Sequence, residues 1–475
     1  MDIPATSEQQ DSILARLRAA HRAQLPSYAQ RMDDLARLRA KFKQKLDEFA
    51  KAMSADFGRR SYHESMLTDG MTVLSEIDSM RSGLRRWMKP QARRADWIFL
   101  PARAELRYQP LGVVGVIAPW NYPVNLALMP LAGAIAAGNH VMLKPSEFTP
   151  RTSQLLSDLL ADVFPSDRVA TVLGGADVAA AFSALPFDHL FFTGSTATGK
   201  KVMQAAAANL TPVTLELGGK SPAIISPGYP IGLAAERIAA GKFLNAGQTC
   251  IAPDYVLVPE DSRDALVAAL GDYVRDHYPN LRATEDYSSI VSEPHYRRLH
   301  ELADEAQAAG ADVRVLPDAR AHDVEHRIFA PTLVTGADVE GKHDSLRVMH
   351  EEIFGPILPI VSYRKLEEAL AYINDRPRPL ALYHFDNDSE RTRRVLDATI
   401  AGGVTVNDCV LHFAQSRLPF GGVGPAGMGQ YHGHASFLAF SKVKPVFYQT
   451  RFSSMALFRP PYAKLADFLA KFLTR

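Results

Sequence analysis

Five short apolar runs decide the fold class: VVGVIA (113–118), HVML (140–143), VATVL (169–173), HLFFT (189–193) and VTLEL (213–217). Helix-like segments separate these runs at residues 125–138, 152–163, 176–184 and 198–209. Strands that alternate with helices are typical of an α/β fold with a doubly wound, mostly parallel sheet. Ligands of such a sheet bind beyond the carboxyl ends of the strands. The residues that follow each run are therefore candidates for a binding site.

A second block of alternating elements runs from about residue 216 to residue 402. Its predicted strands are residues 223–226, 255–259 and 356–362, and its predicted helices are residues 262–278 and 366–374. This block predicts a second α/β domain, joined to the first near the two-glycine turn Gly218–Gly219. Further along, residues 441–449 alternate loosely in polarity, which predicts a strand at an edge or an interface.

The first hundred residues carry a helical pattern instead. Apolar residues recur there at three- and four-residue steps, namely Leu35, Leu38, Phe42, Leu46, Phe49 and Met53. This spacing puts them on one face and predicts a helix packed against a core. The longest apolar stretch, residues 126–138, is shorter than the roughly 20 residues needed to span a bilayer, so it predicts a buried helix.

Composition excludes several classes of protein. The chain has 475 residues, of which 47% are hydrophobic and 22% charged, so it is neither disordered nor collagen-like. Its net charge of +1 creates no long-range field for nucleic acid or an anionic membrane, and no nucleic-acid partner is expected. Two cysteines, Cys250 and Cys409, cannot form a disulfide framework or a multi-cysteine metal site. A reducing, cytoplasmic location is expected, since the polar N-terminus also shows no secretory signal.

A glycine-containing loop follows the fourth apolar run, in HLFFTGSTATGKK (189–201). Gly194, Gly199 and Lys200 approach a Walker A loop, but Lys201 stands where that loop needs Ser or Thr. Thr196 likewise replaces the middle glycine of G-x-G-x-x-G. Backbone N–H groups at a helix start still favour a phosphate or pyrophosphate. A purely structural turn explains the loop about equally well.

Polar residues follow other runs of the first block. Lys144 and Glu147 come directly after the second run, where a dinucleotide ribose binds in such folds. A carboxylate there accepts hydrogen bonds from both ribose hydroxyls and repels a 2′-phosphate. The alternative is a solvated loop, the commoner fate of a Lys/Glu pair.

Three residues suggest reaction chemistry. Cys250 in a glycine-containing loop is a candidate nucleophile, although a buried, inert cysteine is the commoner case. Glu216 interrupts an apolar strand, so burial would raise its pKa towards that of a general base, unless it is exposed at the strand end. The amide of Asn121 is able to donate to an oxyanion, or it serves only a turn. Cys409 follows Asp408, whose charge disfavours a thiolate.

Seven motifs in order resemble the aldehyde dehydrogenase superfamily. Between Ala118 and Gly424 they are APWNYP, VMLKPSE, FTGSTATGK, LELGGKSP, GQTC, EEIFGP and PFGGVG. The segments GQTCIAPDY, VNDCVLHF and GMGQYHGHASF resemble the class three branch in particular. The resemblance implies a Rossmann-like dinucleotide-binding domain, an α/β catalytic domain and a small β oligomerisation arm.

The resemblance also implies roles for individual residues. Cys250 matches the nucleophile, Glu216 the base that activates water, and Asn121 the oxyanion donor, joined by the backbone N–H of Cys250. The implied cofactor contacts are Lys144 and Glu147 at the adenosine ribose, Gly194 and Ser195 at the pyrophosphate, Glu352 and Phe354 near the nicotinamide, and Trp120. The implied domains are residues 1–217 for the dinucleotide, with 98–110 contributing to the arm, 218–404 for catalysis, and 405–475 for a return segment, the oligomerisation strand and a C-terminal helix.

The resemblance implies NAD as cofactor, with NADP as the alternative, no metal, and a homodimer. Its substrates are aromatic or medium-chain aldehydes, with hydroxycinnamaldehydes as the narrower expectation. The base Glu216 favours water over coenzyme A as acyl acceptor. Two other classes stay open at this point: a non-catalytic nucleotide-binding protein on the same fold, and a cysteine-dependent thioester or ester hydrolase.

The C-terminal segment, residues 463–475, carries an apolar stripe at helical spacing. The stripe consists of Leu465, Phe468, Leu469, Phe472 and Leu473. Docking on the protein or on a dimer partner is the favoured interpretation. Because Lys464, Lys471 and Arg475 flank the stripe, a shallow helix on a membrane surface is the alternative.

Overall fold

The computed structural model describes residues 6–317, 321–453, 455, 459–462 and 464–474. Its strands form three sheets and are listed in chain order: β1 Gln91–Arg93, β2 Arg103–Pro110, β3 Val113–Ile117, β4 His140–Lys144, β5 Val169–Thr171, β6 His189–Gly194, β7 Val213–Leu217, β8 Pro222–Ile225, β9 Tyr255–Pro259, β10 Asp312–Val315, β11 Thr332–Asp338, β12 Ile357–Tyr363, β13 Ala381–Phe385, β14 Gly403–Val406, β15 Gly427–Met428 and β16 Ser441–Tyr448. The predicted α/β class is confirmed.

Helices cover the sheets and form the N-terminal region. In chain order they are α1 Ser7–Ala23, α2 Tyr28–Gln44, α3 Leu46–Phe57, α4 Tyr62–Ser65, α5 Thr72–Trp87, α6 Asn125–Ala137, α7 Pro150–Val163, α8 Ala176–Ser183, α9 Thr196–Ala207, α10 Ile231–Phe243, α11 Arg263–His277, α12 Glu293–Ala308, α13 Arg347–His350, α14 Leu366–Asn374, α15 Ser389–Ala398, α16 Leu411–Ala414, α17 Gly433–Ala439 and α18 Lys464–Leu473.

The first sheet has the order β15-β7-β6-β3-β4-β5. The five strands that the apolar runs predict all pair in parallel. Only the two-residue strand β15 runs antiparallel, and it pairs Gly427 with Glu216. Strand β3 lies inside the sheet, with β4 on one side and β6 on the other. Because these strands are parallel, the carboxyl ends of β3, β4, β6 and β7 lie along one edge.

The second sheet has the order β10-β11-β12-β9-β8-β13-β14, parallel except for β10. The sequence predicts β8, β9 and β12 of this sheet to within a residue or two, but not β10, β11, β13 or β14. The third sheet joins β1, β2 and β16 in antiparallel pairs, and β16 pairs with β2 along its whole length. This strand confirms the expectation for residues 441–449. The predicted domain boundaries at 217/218 and 404/405 stay predictions.

The N-terminal region differs from its prediction in one respect. Its apolar stripe belongs to two helices, because Lys45 ends α2 and begins α3 with a φ of −102° and a ψ of 9°. Leu35, Leu38, Phe42 and Phe49 are nevertheless buried, at 1% exposure or less. Helix α6 is buried at every residue and packs against α2, α5 and α17, as its apolar composition predicts.

The C-terminal helix α18 exists, and most of its apolar stripe is exposed within the described chain, although Leu469 is half-buried. Leu465, Phe468 and Phe472 are exposed to 53%, 65% and 57%. The predicted segment also includes Ala463 and Arg475, which lie outside the described residues. Among the helices that the structure describes, none has the length and apolar character to cross a membrane.

Candidate active site

A single cleft of about 730 Å³ opens at the carboxyl edge of the first sheet. Every candidate site residue lines it: Trp120, Asn121, Lys144, Glu147, Gly194, Ser195, Glu216, Cys250, Glu352 and Phe354. The first seven follow strands β3, β4, β6 and β7 or end them, whereas the last three come from the second α/β block. The fold therefore brings together residues that are spread over more than two hundred positions of sequence.

The loop between β6 and α9 forms one wall of the cleft. Helix α9 begins at Thr196, two residues earlier than predicted, because Ser195 is its N-cap and accepts a hydrogen bond from the Thr198 N–H at 3.3 Å. Gly194 has no room for a side chain, since a Cβ there would lie 2.5 Å from the Phe192 ring. A glycine followed by a helix N-terminus suits a pyrophosphate, because the N–H groups of the first turn lack partners within the helix.

The loop after β4 forms the adjoining wall. The Lys144 side chain is 1% exposed, and its Nζ donates to the Pro145 carbonyl at 2.9 Å and to Glu147 Oε2 at 3.1 Å. The Glu147 side chain is 37% exposed. The ion pair holds the Glu147 carboxylate at the rim of the cleft.

The Cys250 loop begins where α10 ends. Asn245, Ala246 and Gly247 have φ values of 51°, 51° and 74°, so three consecutive residues are left-handed. Such a conformation costs about 1–2 kcal/mol for each residue that is not glycine, and it persists only where the surroundings fix it. Gly247 is required for a second reason, since a Cβ there would meet the Gly355 oxygen at 2.3 Å.

Gln248 fixes this loop from within. Its Nε2 donates to the carbonyls of Asn245 and Ser289 at 2.9 and 3.0 Å, and its Oε1 accepts the Val291 N–H at 3.0 Å. Gln248 of the GQTC motif therefore stabilises the turn that precedes Cys250.

Asn121 packs directly against this loop. Its Nδ2 donates to the Gln248 carbonyl at 3.2 Å, and its own carbonyl accepts from Asn245 Nδ2 at 3.0 Å. The side chain is buried, at 2% exposure of the residue. Because an amide nitrogen carries two protons, one N–H of Asn121 is still available to an oxyanion.

Two carboxyl groups lie near the Cys250 thiol. Glu216, at the end of β7, is 4% exposed, and neither of its oxygens has a hydrogen-bond partner within the described chain. Burial raises its pKa well above the usual value. Burial and the nearby Asp254 raise the pKa of Glu352 to about 8, although the hydrogen bond from the Gly219 N–H acts to lower it. The lack of a side chain at Gly218 makes room for Glu352, since a Cβ at residue 218 would lie 2.0 Å from Glu352 Oε2.

The surroundings of Cys250 do not by themselves favour its ionised form. Burial, followed by the charges of Glu352 and Glu216, raises the pKa of the Cys250 thiol to about 12. Burial, with the two carboxyl groups, thus disfavours the thiolate of Cys250. Cys409 behaves as expected: it is buried in the core beside Gly241, does not line the cleft, and burial and Asp408 raise its pKa well above the usual value.

Sequence reasoning missed a row of rings and an arginine. The Trp120 ring packs 5.2 Å from His295 and 5.3 Å from Phe354, and His295 stacks on Phe148 at 5.9 Å. Arg298 donates to the carbonyls of Glu352 and Ile353 and so holds the EEIFGP segment. His295 and Arg298 belong to α12, which carries no recognisable motif, so the sequence offers no signal for them.

In the described part of the chain, no group of three or more His, Cys, Asp or Glu side chains is placed to hold a metal ion.

This geometry agrees with the comparison to known proteins. Residues 4–446 match the sequence profile of the aldehyde dehydrogenase family, and the chain belongs to this family.

Among curated relatives, the chain is 50% identical over 457 residues to the probable coniferyl aldehyde dehydrogenase of Pseudomonas aeruginosa, which covers 96% of this chain and 94% of that protein. It is 44% identical to aldehyde dehydrogenase family 3 member A2 of Rattus norvegicus, over 79% of this chain and 75% of that protein. The solved structure titled substrate bound state of Staphylococcus aureus AldH has a TM-score of 0.91, 38% identity, and 100% of both chains covered.

These likenesses confirm the family, its class three branch and the similarity to coniferyl aldehyde dehydrogenase that the whole sequence predicts. The chain is an NAD(P)-dependent aldehyde dehydrogenase. Of the classes left open by the residues alone, the non-catalytic binding protein and the cysteine hydrolase are thereby set aside.

Proposed function

We propose that the chain oxidises aldehydes through a covalent intermediate on Cys250, with Asn121 as oxyanion donor and Glu216 as general base. The observation that carries this proposal is the convergence of these three side chains on one cleft, with Glu216 buried and unpartnered beside the thiol. A buried carboxyl group without a partner is costly in folding, and such groups cluster at sites of proton transfer.

The residues that would hold the cofactor fit it on their geometry. Gly194 lines the cleft without a side chain, Ser195 caps the helix that follows it, and Lys144 with Glu147 lies at the rim. Phe354 and Glu352 lie on the Cys250 side of the cleft. NAD(P), when bound, supplies an acceptor for hydride, and its cationic ring favours a nearby thiolate.

The first half of the reaction forms a thioester. Once the Cys250 thiol has released its proton to water in the cleft, the sulfur adds to the aldehyde carbon and gives a thiohemiacetal oxyanion. The free N–H of Asn121 and the backbone N–H of Cys250 stabilise that charge, and one such donor contributes about 3–4 kcal/mol. The carbon then gives up hydride, for which bound NAD(P) would be the acceptor, the C–O double bond forms again, and the acyl group stays on the sulfur.

The second half releases the acid. Glu216 takes a proton from a water molecule, which attacks the thioester carbon and expels the Cys250 sulfur. A raised pKa makes Glu216 a stronger base than an ordinary carboxylate, provided that it is ionised when the water attacks. Water rather than coenzyme A is therefore the acyl acceptor that we propose.

For the substrate we propose hydroxycinnamaldehydes of the coniferyl type, with other aromatic and medium-chain aldehydes as weaker substrates. The support is the 50% identity to a protein named for coniferyl aldehyde. Purified protein with NAD would be assayed on coniferyl aldehyde, benzaldehyde, hexanal and octanal by NADH absorbance. The highest kcat/KM is expected for coniferyl aldehyde, and a preference for octanal would overturn the substrate assignment.

We also propose a cofactor preference, an oligomeric state and a cellular location. Glu147 supports NAD over NADP, because its carboxylate repels a 2′-phosphate. The sheet of β1, β2 and β16, with the exposed stripe of α18 nearby in sequence, supports a homodimer, and light scattering would test it. The two free cysteines support a reducing, cytoplasmic location.

A further inference from the structure

The segment that links α3 to α4 approaches the reaction end of the cleft from behind. Glu64 in α4 places its Oε2 3.0 Å from the Asn245 N–H and 3.3 Å from the Ser288 hydroxyl, and both donate to it. Glu64 is not among the residues that line the cleft. Any effect that it has on the reaction must therefore pass through another residue.

Asn245 is the first residue of the left-handed turn that precedes Cys250. A turn of three left-handed residues needs bonds from outside itself to persist. Gln248 follows the turn directly, and its side chain donates to the carbonyls of Asn245 and Ser289. The same side chain accepts the Val291 N–H. Glu64 takes the N–H at the beginning of the turn, so the turn is fixed at both ends.

The same segment also holds the oxyanion donor. Arg60 is fully buried between the rings of Phe57 and Tyr122, at 4.9 and 5.0 Å from their centres. Its Nη1 donates to the Asn121 carbonyl at 2.6 Å, and its Nη2 pairs with Asp69 at 2.9 Å. Glu64 thus binds the main chain of Asn245, ahead of Cys250, and Arg60 binds the main chain of Asn121.

We propose that Glu64 is a positioning residue for aldehyde oxidation, which acts through the main chain of Asn245 to hold Cys250 at the correct distance from Asn121. The inference rests on the proposed roles of Cys250 and Asn121. Its physical basis is that a misplacement of reacting groups by 1 Å can cost about 10²-fold in rate.

Four variants test the proposal, and the measured quantities are the burst rate of NADH formation, the Kd of NAD, the melting temperature and the rate of Cys250 alkylation by iodoacetamide. Glu64→Ala removes the acceptor for the Asn245 N–H, whereas Glu64→Gln keeps an acceptor oxygen. Asp188→Ala is the matched control, since Asp188 accepts the Val113 N–H at 2.8 Å at the opposite edge of the first sheet. Cys250→Ser reports on the nucleophile itself.

The expected result is a burst rate at least about tenfold lower in Glu64→Ala, with the Kd of NAD unchanged, and recovery to within about threefold of the parent in Glu64→Gln. Alkylation of Cys250 should change in Glu64→Ala and return to the parent rate in Glu64→Gln. Asp188→Ala should lower the melting temperature and leave the burst rate unchanged.

Other results would overturn the proposal or its foundation separately. A parent-like burst in Glu64→Ala, or a Glu64→Gln variant as slow as Glu64→Ala, overturns the positioning role. Full activity in Cys250→Ser overturns the proposed function instead. If Glu64→Ala does not fold, Glu64→Asp takes its place in the comparison, because the shorter side chain withdraws the carboxylate from the Asn245 N–H.

Discussion

The two ends of the cleft are built on opposite principles. At the cofactor end, Lys144 and Glu147 form an ion pair, and Ser195 caps a helix, so the polar groups have partners and Glu147 reaches solvent. At the end proposed for the reaction, Glu216 is buried without a hydrogen-bond partner among the described residues, and burial raises the pKa of the Cys250 thiol to about 12. Both ends lie on one continuous surface.

The difference shows where folding stability is given up for chemistry. A satisfied polar group costs little to keep, and it suits the binding of a ligand that arrives and leaves. An unsatisfied buried carboxyl group destabilises the fold, and it is retained where its altered pKa serves a reaction. Changes at the reaction end should therefore have large effects on rate, and changes at the cofactor end smaller effects on selectivity.

The largest difference between the two ends of the cleft is expected in the Cys250→Ser variant. Turnover should fall by at least about 10³-fold, because the hydroxyl is a much weaker nucleophile than the thiolate, while NAD binding should persist at the other end. Aldehyde-dependent NADH formation and NAD titration by fluorescence measure the two properties. Cys409→Ala is the matched control and should keep the parent rate; an active Cys250→Ser variant would refute the nucleophile assignment.

Glu216→Gln should slow steady-state turnover by about 10²- to 10⁴-fold while the first turnover stays fast, because the amide cannot take a proton from water. Stopped-flow NADH absorbance should then show a burst of one equivalent per site followed by a slow phase. Removing an unpartnered carboxyl should also raise the melting temperature, which Glu147→Gln should not. A steady-state rate equal to the parent's would exclude Glu216 as the base.

The pH dependence of thiol reactivity sharpens the comparison further. A pKa raised to about 12 means that the thiolate fraction of Cys250 is small at pH 7 and grows with pH. Alkylation by iodoacetamide, without added cofactor, should accelerate about tenfold for each pH unit between pH 7 and 9. Cys250→Ser gives the background rate. A plateau below pH 9 would show that the thiolate is already formed and that the surrounding carboxyl groups do not suppress it.

The smallest effect is expected at the cofactor end. Glu147→Gln should raise the NADP/NAD ratio of kcat/KM by about twofold to fivefold, since interactions of exposed charges contribute about 0.2–1 kcal/mol. The substitution also frees Lys144 to meet a 2′-phosphate. Asp158→Asn on α7, a surface charge that does not line the cleft, should leave the ratio unchanged. An unchanged ratio in Glu147→Gln would reject the ribose contact.

Much of the first sheet could be predicted from sequence, and the reason is local. Each of β3, β4, β6 and β7 is a buried apolar run bounded by turn residues, and parallel strands bring their carboxyl ends to one edge. For this reason Asn121, Lys144, Gly194 and Glu216 were expected to converge, as they do.

The rest depends on contacts that a one-dimensional pattern does not contain. One exception is the strand ALYHF (381–385), which is as buried as β3 and is bounded by Pro377 and Pro379 before it and by residues 386–388 (DND) after it, so the sequence does carry a local signal for this strand. The periodic stripe of the N-terminal region continues across Lys45 and hides the break between α2 and α3. Glu64 and Asn245 are 181 positions apart, so no local signal connects them. The raised pKa of Cys250 likewise arises from burial that only the folded chain creates.

The most direct test of the central claim is to find the acyl group. The Glu216→Gln variant would be mixed with NAD and benzaldehyde, quenched after the burst, digested and analysed by peptide mass spectrometry. The account predicts one benzoyl group on the peptide that contains Cys250, in an amount equal to the NADH released. Release of NADH with no acyl group on that peptide, or with the acyl group on another residue, would contradict it.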